Sequence, residues 1–348
     1  MSGDLEWQAQ RHQLLGQRIS DLGLAIRGSR VERLVQRLYD ELAQRGLSFR
    51  PPVYLSDQWG CPDDTPLIGV PFYLADPRLE RIEAEMTFAV EDDEEAMRYL
   101  RHEAGHAFNY AFRLHERPEW QETFGSFAKP YRERYRADPF SREHVRHILT
   151  WYAQKHPDED FAETFAVWLT PEMDWRQEYS GWPALRKLEY VDRVMREIAG
   201  ADPATPEPSE DDLPVGAMTY SVAEHYEEER HTVPIEDDRQ FDVDLRQIFV
   251  RQTDAPGGQP AEEFLRQHYR EIVTRVAFWT SERPTVVRSL IDVLQRRSEA
   301  LKLRVGALEA TTLIELTAFA TAVVVLHRHT QVIGRARKTR VGSGAAAR

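Results

Sequence analysis

One helix decides most of what this chain can fold into. Between Asp93 and about Leu114, the residues Met97, Leu100, Ala104, Ala107, Phe108 and Ala111 recur at helical spacing as an apolar stripe, and His102 and His106 fall nearly opposite it. Acidic residues from Glu91 to Glu95 stand at the helix start, where the dipole favours negative charge. A surface helix would turn its histidines to water. Here one face serves the core and the other is free to line a cleft, so the helix is expected to be covered on both sides. Gly105 sharpens that expectation, because a mid-helix glycine costs about 1 kcal/mol relative to alanine and so implies a close approach by another part of the chain.

The run His102-Glu103-Ala104-Gly105-His106 sets two imidazoles four residues apart on one helix face, close enough to hold one ion. The single cysteine, Cys61, excludes a disulfide framework and a Cys-rich zinc finger, so any metal has to use histidine and carboxylate. A catalytic zinc keeps three protein ligands and an open position for water, which requires a third ligand. The segment from His156 to Ala166 supplies candidates. Pro157 suits a first helical turn, Pro171 closes the far end, and Glu159 and Glu163 share one face with Ala162 and Ala166. Phe161, Phe165 and Trp168 take the opposite face. Two helices could then pack closely, carboxylates against histidines, with Glu159 and Glu163 as rival third ligands.

The pair of motifs, HEAGH and EDFAETFA, resembles the gluzincin metallopeptidases. It is closest to the bacterial zinc-binding metallopeptidases of that group and similar in its core to the catalytic domain of anthrax lethal factor. The resemblance covers roughly residues 50–175. It implies a zincin-like α+β core, one Zn2+ per chain, Glu159 as the third ligand beside His102 and His106, and Glu163 as the carboxylate that holds His102 through its other ring nitrogen. Seven residues before the ligand glutamate, lethal factor carries a tyrosine that stabilises the oxyanion, and by this resemblance that position is Tyr152 here. Glu103 would act as general base and then general acid in peptide hydrolysis. A strand from the Leu67 to Val90 region could align an extended peptide at a sheet edge.

Elsewhere the chain reads as packing material. Residues 11–46 look helical, with Ser29 capping a helix that repeats Val31, Leu34, Val35, Leu38 and Leu42 and stops at Gly46. Val53 to Leu55, Leu67 to Leu74 and Met86 to Val90 carry strand signals and predict a small antiparallel or mixed sheet. Helices are expected at about 117–136, 141–153, 158–169 and 183–199. Residues 201–214 have the acidic, proline-rich composition of a linker. The expected organisation is an N-terminal helical segment (1–50), a metallopeptidase domain (51–200), the linker, a mainly helical C-terminal domain (215–333) and a disordered basic tail (334–348). Within the C-terminal domain, 241–250 is a strand or short helix, and 261–280, 284–303 and 310–329 are helices, the last and most apolar at the centre of a bundle.

Composition narrows the partners. A net charge of −13 disfavours nucleic acid, since its phosphates need clustered Lys and Arg, and the one basic cluster, Arg335 to Arg340, lies in the tail. The longest uncharged apolar run, Leu316 to Leu326, has eleven residues against the roughly 20 that span a bilayer, which predicts a buried helix and no membrane partner. The polar, acidic N-terminus lacks the features of a signal peptide, and with the lone cysteine this points to the cytoplasm. His144, His147 and His156 lie near the motif and read as surface or packing residues, as does the charged run from His225 to His231. A peptide or protein is the expected substrate. Two other classes stay open: an inactive peptidase-like scaffold that binds a protein partner through its C-terminal helices, and a zinc hydrolase of a non-peptide amide.

Overall fold

The computed structural model describes the chain apart from residues 1, 88–89, 133–134, 136, 149–150, 205–213, 230–237, 281, 283, 307 and 342–348, and apart from the side chains of 2–4, 87, 228–229 and 328–341. The chain divides into two compact units, Met1–Met86 with Val90–His225, and Tyr226–Arg348 with Thr87–Ala89. Among the described residues it is mostly helical with two small two-stranded sheets, a content compatible with an α+β class.

The first unit opens with α1 (Ser2–Leu15) and α2 (Arg30–Gln44). The Ser29 hydroxyl accepts the Val31 N–H at 3.1 Å, the predicted apolar positions are buried, and Gly46 leaves the helix with φ 78°. These helices are not a separate segment. Arg101 donates two 2.7 Å hydrogen bonds to the α2 carboxylate of Glu41, both residues buried, and so ties α2 to the helix that carries the histidines.

Strand β1 (Val53–Ser56) pairs in parallel with β2 (Ile68–Pro71), Val53 opposite Ile68. At the third predicted strand, Met86 and Thr87 lie instead in α3 (Pro77–Thr87), and 88–89 fall outside the described residues. Asp76 explains the difference. Its carboxylate accepts the Arg78 N–H at 2.8 Å, and with Pro77 at the first helical position it starts a helix where the apolar pattern alone suggested a strand.

Next come α4 (Asp93–Ala111), α5 (Pro118–Phe124), α6 (Pro157–Leu169), the single turn α7 (Trp175–Glu178) and α8 (Leu185–Ile198). Asp92 and Glu95 close a capping box at the start of α4. Helix α5 ends far short of residue 136, because Gly125 at φ 110° turns the chain away. No helix covers 141–153 among the described residues; residues 141–148 form an extended loop and only Tyr152–Gln154 makes a 3-10 turn.

The first unit also runs past the predicted linker. The N–H groups of Ile19 and Ser20 donate to Tyr220 and Met218, and that of Val222 donates to Gln17, all at 3.0 to 3.1 Å. These bonds bring residues 218–222 back to the N-terminal turn, so the division falls within α9 (Val222–Glu229) and not at 201–214, whose residues 205–213 lie outside the described set.

In the second unit, α10 (Asp242–Ile248) leads to β3 (Val250–Arg251), followed by α11 (Ala261–Gln267), α12 (Tyr269–Thr280) and α13 (Pro284–Ala300). Then β4 (Leu303–Arg304) pairs antiparallel with β3, and α14 (Glu309–Val341) closes the chain. Helix α13, buried at Val287, Leu290, Ile291 and Leu294, packs on α10, α11, α12 and α14 and forms the centre. The predicted central helix, α14, is instead at the edge. Within it Thr312, Leu316, Ala320 and Val324 bury one narrow stripe, while Ile314 and Leu326 are 69% and 64% exposed. Its helix takes in the basic run predicted as a disordered tail as far as Val341, and 342–348 are outside the described residues. The span Glu309–His327, with mean hydropathy 1.6 and 22% of it buried, is long and apolar enough by length and composition to cross a membrane, whereas the uncharged run within it has eleven residues. The uncharged run stops at Glu315, and the longer span arises by admitting Glu309 and Glu315 with the residues between them.

Candidate metal centre

Helices α4 and α6 cross at Gly105. A Cβ placed there would stand 2.7 Å from the Cα of Ala162 and 3.0 Å from its carbonyl oxygen, both inside contact distance. Glycine on one helix and alanine on the other are therefore what let the two backbones meet. Every position of α6 is buried, and α4 is buried from Arg101 through Ala111, as a helix with two committed faces requires.

The close crossing brings three donor atoms together. His102 Nε2 and His106 Nε2 are 3.1 Å apart, and Glu159 Oε2 lies 3.1 Å from the first and 3.2 Å from the second. All three residues are buried. Metal–nitrogen and metal–oxygen bonds of about 2.0 to 2.1 Å at tetrahedral angles separate ligand atoms by about 3.3 Å, so the observed triangle is of the right size. This buried group could hold a metal ion.

Each imidazole is also held from behind. His102 Nδ1 lies 2.9 Å from Glu163 Oε1, and the other Glu163 oxygen accepts the Ile148 N–H at 2.8 Å. His106 Nδ1 lies 2.9 Å from Asp158 Oδ2, and Asp158 also accepts from Asn109 Nδ2 at 2.7 Å and from the Tyr110 hydroxyl at 2.6 Å. A carboxylate on Nδ1 would keep the proton there and leave the Nε2 lone pair to a bound ion; the His102–Glu163 contact has hydrogen-bond geometry, whereas His106 Nδ1 is close to Asp158 without meeting it. Glu163 stands where the sequence predicted. Asp158 was missed, although its place beside Glu159 in the first turn of α6 was a usable signal.

Electrostatics fit a site built for positive charge. Burial alone lowers the His102 pKa, but hydrogen bonds to Glu159 and Glu163 override it and lift it to about 9. His106 is likewise penalised by burial and carried well above its ordinary value by Asp158 and Glu159. Glu159, which burial would raise, is held well below the usual carboxylate range by hydrogen bonds with the two histidines. Burial pushes Glu103 upward, against the lowering effect of His102 and His106.

The donors open into a cleft of 480 Å³ lined in part by Trp59, Glu103, Tyr131, Tyr152 and Asp63. Tyr152 sits on the 3-10 turn before α6, its ring centroid 5.6 Å from that of His102. The residue before it, Trp151, takes a left-handed φ of 57°, an outlying conformation for a bulky side chain. Sequence reasoning also missed Tyr131, whose hydroxyl donates to Glu159 Oε1. Cys61 lines the cleft as well, but burial raises its pKa well above normal and its thiol donates to the Thr65 carbonyl, so it stays protonated and is no ligand.

Of the nearby histidines, His156 lines the cleft yet is structural. Its Nδ1 accepts the Asp158 N–H as the cap of α6, and its Nε2 donates to the Lys129 carbonyl at 2.7 Å. His147 donates to the Arg98 carbonyl at 3.0 Å, and His144 lies 3.8 Å from Asp160. The remaining acid of α6, Asp160, faces away toward Lys187, whose ammonium donates to it and to the Glu143 carbonyl at 2.6 Å each. His231 lies outside the described residues. Comparison with protein-family models, with curated proteins and with solved structures found no match to this chain.

Proposed function

We propose that the chain is a zinc-dependent peptidase of the zincin type. The observation that carries the reading is the triangle of His102 Nε2, His106 Nε2 and Glu159 Oε2, with a carboxylate behind each imidazole and Glu103 in the cleft beside it. The donor set fits zinc: two neutral imidazoles and one carboxylate supply three ligands and leave a position open. When bound, zinc lowers the pKa of water toward 7 and polarises a carbonyl oxygen.

The chain's own residues do the rest. Glu103, lifted by burial, takes a proton from the attacking water and returns it to the leaving amine. Burial and the nearby Glu159 keep the Tyr152 phenol protonated, so it can donate to the oxygen on which negative charge develops. Glu163 and Asp158 keep the imidazoles oriented throughout. The substrate class is a peptide or protein laid along the cleft.

Protein purified without chelator should carry about one zinc per chain. In a peptide-library screen, Glu103→Ala should keep the zinc and lose hydrolysis by about 100-fold or more. Purified protein that binds no zinc, or a Glu103→Ala variant that still cleaves at the wild-type rate, would overturn the proposal.

A further inference from the structure

We propose that Tyr131 is a positioning residue of the metal centre: its phenol claims one oxygen of Glu159, leaving the carboxylate a single donor for the metal. The inference rests on the metal reading of His102, His106 and Glu159, and it assigns the other half of the Glu159 carboxylate. The two oxygens of that carboxylate face different groups. Oε2 looks into the triangle, 3.1 Å from His102 Nε2 and 3.2 Å from His106 Nε2, while Oε1 accepts from the Tyr131 hydroxyl.

That asymmetry has a chemical consequence. A glutamate free to turn both oxygens toward an ion fills an extra coordination position, the one that water needs in a hydrolytic site. A hydrogen bond on Oε1 stabilises the single-oxygen arrangement and keeps that position open. Tyr131 comes from the chain after α5, not from either crossing helix, so the restraint is supplied from a third direction.

The surroundings make Tyr131 part of a cluster. Its hydroxyl is 3.5 Å from that of Tyr152, and the Lys155 ammonium donates to the Tyr152 oxygen at 3.3 Å while standing 4.2 Å from the Tyr131 ring centre. The two phenols thus share one cation and both lie near Glu159, but the direct hydrogen bond to Glu159 Oε1 comes from Tyr131. Tyr131 reaches the ligand carboxylate, and Tyr152 stands against the His102 ring.

Cobalt(II) in place of the native ion reads this directly, because four-coordinate cobalt absorbs visible light far more strongly than cobalt with more ligands. Tyr131→Phe removes one hydroxyl from a half-exposed ring, so the fold should survive, as circular dichroism would verify. At full cobalt occupancy, Tyr131→Phe should lose visible intensity and bind cobalt about 10-fold more weakly. Tyr152→Phe, which removes a weaker contact with Glu159, should lose clearly less intensity than Tyr131→Phe. Identical spectra for wild type and Tyr131→Phe, or an equal loss in Tyr152→Phe, would overturn the assignment. Failure of the wild type to take up about one cobalt per chain would instead remove the metal reading beneath it, so the two failures are distinguishable.

Discussion

Gly105 and Ala162 touch backbone to backbone: a methyl group on the glycine would stand 2.7 Å from the Cα of Ala162. Since backbone cannot swing aside as a long side chain does, Gly105→Ala should push α4 and α6 apart. Better helix propensity offers about 1 kcal/mol in return, against a strain of about 1 to 3 kcal/mol, so a small net loss of stability is expected. The larger effect falls on the donor triangle, which spans the same crossing. Metal affinity measured by chelator competition should drop by at least about 10-fold, whereas an unchanged affinity would show that the crossing does not set the site.

Asp158 is the second carboxylate behind the candidate metal donors. Asp158→Asn keeps the shape but removes the charge that orients His106 through Nδ1. We expect zinc affinity to fall by about 10-fold to 100-fold with the fold intact, and zinc titration against a competing chelator would measure it. Glu163→Gln should act similarly through His102. Wild-type affinity in both variants would mean that the imidazoles are held by packing alone.

The ion pair of Arg101 and Glu41 lies one residue from His102 but points to α2. Both side chains are buried, so Glu41→Gln leaves a guanidinium with its partner charge gone, and a loss of about 3 to 5 kcal/mol is expected. Replacing both residues with leucine should cost less, because no unpaired charge remains. Denaturant unfolding of the two variants gives the comparison. A milder loss in Glu41→Gln than in the double variant would contradict this account.

Acid should weaken the first unit through His147 and His144. Burial lowers His147 to about 3 and His144 to about 4, from an ordinary 6.5. His147 also faces the positive groups of Arg98, Arg101 and His102. The unfolded chain therefore binds more protons below pH 6.5, so their contribution is complete above that pH and is lost as pH falls toward 3 to 4. For His147 the loss at pH 5 is about 2 kcal/mol, and it is smaller for the more exposed His144. Stability of His147→Gln, which can still donate to the Arg98 carbonyl, should fall less steeply between pH 6.5 and 5 than that of the wild type. An equal slope would show that His147 does not titrate in this range.

Much of the candidate site was legible because helices carry their information locally. The spacing of His102 and His106, the shared face of Glu159 and Glu163 with Ala162 and Ala166, and the oddity of Gly105 all follow from about 100° of rotation per residue. The Ser29 cap and the stop at Gly46 are equally local. Tyr131 was not legible: it reaches Glu159 from 28 residues away along an irregular segment, and no periodicity announces such a contact. Nor was the helix over Met86 and Thr87 legible, since the apolar run there read as a strand while the helix begins at Asp76–Pro77.

By itself, then, the sequence determined which faces of α4 and α6 would meet and which side chains would stand on them. Only the tertiary structure decided the rest. It put 3.1 to 3.2 Å between the three donor atoms, set Asp158 behind His106, and made α13 rather than α14 the centre of the second unit. The reason is that a helical pattern specifies directions around an axis, whereas distances between axes depend on what fills the space between them. At the crossing, that space is the hydrogen of Gly105.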